Sequence, residues 1–275
     1  MSEKFSITKR KMDSFYNLPS PHSHNEYEIY YLINGTRKIF LDDSIYILNR
    51  GDLVFIPMNT LHRVTYGNDK PHERINLRFN DDYVPDIKKN QQLKISFKKT
   101  FIQSPVIHIS GTSRDYIESL FNRILAEYDQ ADDFSDINIK NCLQELVIFL
   151  IRYNLYKNNE YAPNIDMNDS IMQEAARFIR TNYKKNITLE TVAEHVNISP
   201  TYFSKKFKTA TGFGYREYLI NIRIQEACKL LLESNMSITQ IALECGFNDS
   251  NYFGDVFRRT KGIAPYKYRK NNNYL

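Results

Sequence analysis

Four residues in the first quarter of the chain could hold a metal ion or grip a polar molecule: His22, His24, Glu28 and His62. His22 and His24 are two apart and Glu28 lies four further on, so on an extended strand all three point to one face. Three imidazoles and a carboxylate make a donor set for a divalent transition metal. The same groups can hydrogen-bond a polar ligand instead, and a purely structural role is the third reading. Along the run from Glu28 to Leu32, Glu28, Tyr30 and Leu32 share a face. Further on, Arg74, Asn76 and Arg78 share one, opposite Ile75, Leu77 and Phe79. A pocket offering His, Glu, Tyr, Asn and Arg suits a polyhydroxylated ligand, a sugar first and an organic acid second. For Arg74 and Arg78, solvated strand faces are an equal reading. The candidate ligand-binding residues are thus His22, His24, Glu28, Tyr30 and His62. His22, His24, Glu28 and His62 double as candidate metal ligands. No cofactor is required, although the donors admit a divalent metal.

A second chemistry sits in the last hundred residues, where one pattern occurs twice. Tyr202, Phe203, Phe207, Gly212 and Tyr218 recur 50 positions later as Tyr252, Phe253, Phe257, Gly262 and Tyr268. Val192-Ala193 matches Ile241-Ala242 at a shift of 49, so the second copy has one extra residue in its turn. Each copy reads as a helix-turn-helix. Thr188 and Ser199 are placed as caps in the first, with Pro200 in a first turn. In the second, Ser237 and Gln240 have capping-box spacing and Asp249 caps the next helix. Asn197 and Gly246 stand where the turn needs a left-handed residue. The helix 200–209 buries Phe203 and Phe207 and leaves Thr201, Ser204, Lys205 and Lys208 outward. The helix 250–260 buries Phe253 and Phe257 and leaves Ser250, Asn251, Gly254, Asp255 and Arg258 outward. Residues 215–233 form one helix of roughly 28 Å at about 1.5 Å per residue. A spacer of that length can set the two outward faces about one DNA turn, ~34 Å, apart.

The charge distribution agrees. From Asp169 onward there are 16 Lys+Arg against 10 Asp+Glu, while residues 1–168 carry 21 against 22. The excess of positive charge therefore lies on the repeated segment, as phosphate binding requires. The 275 residues fit two domains. Short strands are expected at 27–33, 36–41, 44–48, 52–56, 62–66 and 73–79, punctuated by Asn34-Gly35, Asp42-Asp43, Arg50-Gly51 and Gly67-Asn68. Many short strands at near-regular spacing suggest a sandwich or barrel. Helices follow at 114–129 and 138–157, and Ser170 with Gln173 has capping-box spacing for a further helix to about 183. The 138–157 helix is apolar around most of its girth. Packing onto the strands is one explanation and a homodimer seam the other. The expected division is a sensing barrel at 1–112, a dimerising helical segment at 113–157, a linker at 158–168 and a DNA-binding domain at 169–275. The start of the chain has no apolar leader and no run suits a bilayer, so a cytoplasmic protein without membrane contact is expected. Cys142, Cys228 and Cys245 form no Cys-x-x-Cys pair and read as ordinary buried thiols.

The segment Ile241-Ala242-x3-Gly246-Phe247…Asn251-Tyr252-Phe253-x3-Phe257-Arg258-Arg259-x2-Gly262-x2-Pro265-x2-Tyr268-Arg269 resembles the signature of AraC/XylS-type transcription regulators, and the likeness covers roughly residues 170–270. In that family both units enter successive major grooves of double-stranded promoter DNA. The resemblance implies base reading by Thr201, Ser204 and Lys205, and by Ser250, Asn251 and Asp255. Lys206, Lys208, Arg258 and Arg259 would contact phosphates, fixing register rather than sequence. Asp255 departs from the pattern: a carboxylate facing the groove repels phosphate unless it accepts from a cytosine amino group. Upstream, His22-x-His24-x3-Glu28-x6-Gly35 and Gly51-x5-Pro57-x4-His62 resemble the two motifs of the cupin barrel. The second is imperfect, with Asn59 and Tyr66 where glycine and asparagine are usual. The fold implied is α+β and multi-domain: a cupin-like barrel with helices, then an all-α tandem helix-turn-helix. The function implied is a ligand-responsive, DNA-binding activator of a carbohydrate-utilisation operon rather than an enzyme. It would act as a homodimer with RNA polymerase and a small-molecule effector. The alternatives are a metal-dependent cupin enzyme or metal sensor fused to a DNA-binding unit, and a constitutive architectural DNA binder.

Overall fold

The computed structural model describes residues 5–12, 23–66, 71–157 and 167–272. The chain divides into two compact units, the first carrying nearly all of the strands and the helices that follow them, the second carrying residues 165–275 together with the short segment 42–45. His22 and nearly all of the expected linker lie outside the described residues.

The first unit is α+β. Its strands are β1 (Phe5–Met12), β2 (Tyr27–Asn34), β3 (Arg37–Leu41), β4 (Ser44–Leu48), β5 (Asp52–Ile56), β6 (His62–Tyr66), β7 (His72–Phe79) and β8 (Val106–His108). They form two sheets, ordered β1-β7-β2-β5-β8 and β4-β3-β6, rather than one ring. Helices α1 (Pro85–Lys89), α2 (Gln91–Gln103), α3 (Thr112–Gln130) and α4 (Ser135–Lys157) complete the unit.

Strand alternation divides the interior in two. Tyr30, Leu32, Val54 and Ile56 join Ile39, Leu41 and Leu48 between the sheets. Ile29, Tyr31, Leu53, Phe55, Ile75, Leu77 and Phe79 turn the other way, onto the helices. β2 and β5 are covered on both faces, which is why Ile29 to Leu32 and Leu53 to Ile56 are continuous apolar runs rather than alternating ones.

Two points depart from the sequence expectations, and a third decides between two of them. First, residues 85–89 and 91–103 are helical, where the sequence pattern places no helix before 114. Second, β1 went unread because Lys9, Arg10 and Lys11 break its apolar pattern. It is the edge of its sheet, where charged side chains are at home. Third, the apolar girth of α4 is spent within the unit. Ile139, Cys142, Leu143, Leu146, Val147, Leu150 and Ile151 are all buried in the core shared with α3 and the five-stranded sheet.

The second unit is all helical: α5 (Met167–Asn182), α6 (Leu189–His195), α7 (Pro200–Thr211), α8 (Tyr215–Glu233), α9 (Ile238–Glu244), α10 (Ser250–Lys261) and α11 (Pro265–Asn272). Ser170 is not a cap, since α5 begins three residues before it. The other caps fall where their chemistry suggests. Thr188 accepts from Thr191 N, Ser199 from Tyr202 N, and Asp249 from Asn251 N and Tyr252 N. Ser237 and Gln240 close a reciprocal capping box. Each such cap contributes about 0.5–2 kcal/mol.

Candidate functional site

The repeated sequence produces repeated packing. Phe203 and Phe207 meet at 5.2 Å between ring centroids, and Phe253 and Phe257 at 5.6 Å. Tyr218 stands edge-on to Phe207 at 5.4 Å and Tyr268 edge-on to Phe257 at 5.5 Å. The turn before each second helix closes in the same way. Asn197 (φ 55°) and Gly246 (φ 82°) are both left-handed. Ile198 N donates to Ala193 O at 3.0 Å and Phe247 N to Ala242 O at 2.9 Å, the six-to-one bond of a Schellman turn. The second turn requires glycine for a further reason. A Cβ at Gly246 would stand 2.8 Å from the carbonyl oxygens of both Tyr183 and Lys184. Cys228 and Cys245 lie in the second core as free thiols, and burial pushes the Cys245 thiol up to about 12.

With these cores fixed, the outward faces follow. On α7, Thr201, Ser204, Lys205 and Lys208 are exposed and fall at i, i+3, i+4 and i+7, one continuous stripe. On α10, Asn251, Asp255 and Arg258 are exposed at i, i+4 and i+7, and Ser250 is half-buried in the first turn. The cations of α10 cluster at its C-terminal end as Arg258, Arg259 and Lys261, where the helix dipole favours them. Among the described residues no cation pairs with Asp255, so its carboxylate is open to solvent or to a donor from DNA. Lys206 lies 5.5 Å over the ring of Tyr202, against the helix rather than projecting from it. Arg223 on α8 ties the two copies together, donating to Tyr183 O at 2.8 Å and Lys185 O at 3.0 Å and lying over the ring of Phe247.

The first unit holds a polar cluster between its sheets. Glu28, only 2% exposed, is its centre. His24 Nε2 lies 2.7 Å from Glu28 Oε2, Arg78 Nε donates to the same oxygen at 2.9 Å, and Asn76 Nδ2 donates to Oε1 at 2.9 Å. His62 Nε2 is 3.7 Å from Oε2, and the His24 and His62 rings meet edge to face at 5.0 Å. Burial alone would raise the pKa of the Glu28 carboxyl. The hydrogen bond from His24, the nearby His62 and the Arg78 charge outweigh it and hold the group well below its ordinary value. Tyr30 is wholly buried on the same face, with the Arg74 guanidinium 5.4 Å over its ring.

Of the sequence-derived set, His24, Glu28 and His62 come together, Tyr30 lies two residues along the same strand face, and His22 is outside the described residues. Asn76 and Arg78 were not in that set, yet both hold the Glu28 carboxylate. The signal was the polar parity of β7, which pairs Arg78 opposite Glu28 and Asn76 opposite Tyr30. The Arg78 side chain keeps about a third of its surface in solvent (35%) while its Nε turns inward to Glu28, so a solvated strand face describes only part of it.

One nitrogen each from His24 and His62 and an oxygen of Glu28 lie within 4.8 Å of one another, and two imidazoles with a carboxylate suit a divalent transition metal. Arg78, however, occupies the same carboxylate oxygen that an ion would take. Among the described residues, no helix is long and apolar enough to cross a membrane.

Residues 192–271 match the helix-turn-helix domain family and residues 10–147 the AraC-like ligand binding domain family. The regulatory protein PocR of Salmonella typhimurium is 34% identical over 163 residues, covering 58% of this chain and 52% of PocR, so the chain spans about half of that relative. The HTH-type transcriptional activator RhaR of an Enterobacter species is 24% identical over 258 residues, covering 92% of this chain and 88% of RhaR. Among solved structures, the C-terminal domain of the response regulator AraT from Geobacillus stearothermophilus is 31% identical over 39% of this chain and 89% of that one, with a TM-score of 0.38. ToxT from Vibrio cholerae is 16% identical over 97% of this chain and 98% of that one, with a TM-score of 0.39.

Proposed function

The chain belongs to the AraC-type family of helix-turn-helix transcription regulators, and from that premise we propose that it is an activator of a carbohydrate-utilisation operon that responds to a small polar effector held by the cluster around Glu28. The observation that carries the effector half is the convergence of His24, Glu28, Asn76 and Arg78 on one buried point between the sheets. Such a set can donate to and accept from adjacent hydroxyls, and a sugar is the ligand whose chemistry it matches. The positive charge of Arg78 also favours an organic acid, the second choice. Activation is what the name of RhaR states of that relative, and it is carried to this chain as part of the proposal.

The residues assigned to base reading are Thr201, Ser204 and Lys205 on α7, and Ser250, Asn251 and Asp255 on α10. Lys208 and Arg258 are assigned to phosphates. An effector shifts the regulator only as far as its affinities for two arrangements of the protein differ. The partners proposed are promoter DNA, RNA polymerase and a second copy of the chain, in the cytoplasm. Since the apolar girth of α4 is used internally, a homodimer contact on the 113–157 helices has to use what is left, chiefly Phe134, Ile137, Leu155 and Tyr156. The test of the effector is a thermal-shift screen of sugars and organic acids against the full chain, followed by promoter affinity with each hit. A hit that raises the melting temperature, changes DNA affinity and is lost in Glu28→Gln supports the reading. Sugar hits indifferent to Glu28→Gln would refute it.

The His24, Glu28 and His62 donors carry a second reading, a bound divalent metal serving as sensor or enzyme centre. Elemental analysis of purified protein separates the two. Stoichiometric metal that is lost in His62→Ala favours the metal reading, and metal-free protein that still responds to its effector favours the first.

A further inference from the structure

The first unit has a cavity on the opposite face of its five-stranded sheet from the polar cluster. It lies between that sheet and the α1–α2 pair and has a volume of about 250 Å3. β2 and β5 contribute Tyr27 and Phe55, and α2 contributes Phe97, Ile102, Lys94 and Lys98. Successive side chains on a strand alternate, so Tyr27 and Phe55 point away from Glu28 and Ile56. The two sites share strands but no space.

The walls are aromatic. Tyr27 and Phe97 meet edge-on at 5.6 Å, and Phe55 and Phe97 at 5.1 Å. The mouth is cationic. Lys94 and Lys98 are one turn apart on α2, both exposed, and neither has an ion pair among the described residues. The one carboxylate of the lining, Asp81, already accepts from Tyr27 Oη at 3.2 Å. Ile102, a further turn along the same stripe, leaves an apolar side chain 55% exposed beside the opening. Aromatic walls beside two ammonium groups and a single carboxylate, a lining with net positive charge, are complementary to a molecule with an apolar body and a negative head.

We propose that this cavity binds a small amphipathic carboxylate, its ring-sized apolar body against Tyr27, Phe55 and Phe97 and its carboxylate at Lys94 and Lys98. The volume falls just under the roughly 300–1,000 Å3 usual for small-molecule sites, which suits a single-ring acid rather than a larger ligand. The site goes beyond the proposed sugar response, because it differs in position, lining and charge. Bound there, the acid would bridge α2 to the sheet and give the sensing unit a second input.

The test is calorimetric titration of the full chain with 3-phenylpropanoate and with the neutral 3-phenylpropanol. The expected result is saturable one-to-one binding of the acid, with the alcohol at least tenfold weaker. The double variant Lys94→Glu/Lys98→Glu should lose at least tenfold for the acid while its melting temperature stays that of the parent, since both side chains are exposed. Glu28→Gln should bind the acid unchanged even if it abolishes the response to sugars, so the two sites can fail separately. Acid and alcohol binding alike, parental affinity in the lysine variant, loss of binding in Glu28→Gln, or no saturable binding of the acid would each overturn the proposal.

Discussion

The two helix-turn-helix copies agree inside and differ outside. Their phenylalanine pairs, edge-on tyrosines, left-handed turns and glycine caps recur in both copies, with one extra residue in the turn of the second. Their outward faces do not. α7 presents lysines along its stripe at positions 205 and 208, whereas α10 places a carboxylate at 255 and keeps its cations at the far end. A close-packed core tolerates little change, so the exposed stripe is where two units of one design can be given different tasks. On that difference we propose that the first copy takes the main share of sequence reading and the second a weaker grip.

The comparison can be broken at several levels. Phe203→Ala and Phe253→Ala should each cost about 3–5 kcal/mol of stability in thermal or urea unfolding, because each empties the centre of a core. A large inequality between them would show that the cores are not equivalent. The turns should separate more finely. Gly246→Ala meets both a left-handed backbone and two carbonyl oxygens and should cost at least about 1–2 kcal/mol. Asn197→Gly should change stability by less than about 1 kcal/mol, since that position already tolerates a side chain. On the faces, Lys205→Ala should weaken promoter binding by about 1–3 kcal/mol in fluorescence anisotropy and reduce discrimination against unrelated DNA. Asp255→Arg should tighten binding to DNA of any sequence, and its two-unit charge change should steepen the log–log salt slope by about 1–2. A loss of affinity in that variant would show that Asp255 accepts a bond from a cytosine.

Much of this was legible in the sequence because the informative residues act locally. Caps, left-handed turn residues and i, i+4 phenylalanines depend on neighbours a few positions away, and α8 runs from Tyr215 to Glu233 as the pattern requires. Six strands were legible from β-branched and aromatic runs between turns. What stayed hidden depends on partners distant in the chain. β1 is a lysine-rich edge whose pairing with β7 spans more than sixty residues, Phe5 lying opposite Phe79. α2 carries three lysines among its apolar residues, and its buried face is set by Phe97 and Phe101 against the sheet. The Glu28 cluster was half visible. Strand parity grouped Arg74, Asn76 and Arg78, but only the register of β7 against β2 shows that this face turns inward onto Glu28.

Selection of binding sites from a pool of random duplexes tests the unequal-copies claim most directly, with the parent protein run beside Lys205→Ala and Asn251→Ala. Two half-sites about one turn apart are expected, one strongly and one weakly specified, with Lys205→Ala erasing the strong one and Asn251→Ala touching only the weak one. Two equally specified half-sites, or a strong half-site that depends on Asn251 and not on Lys205, would contradict it.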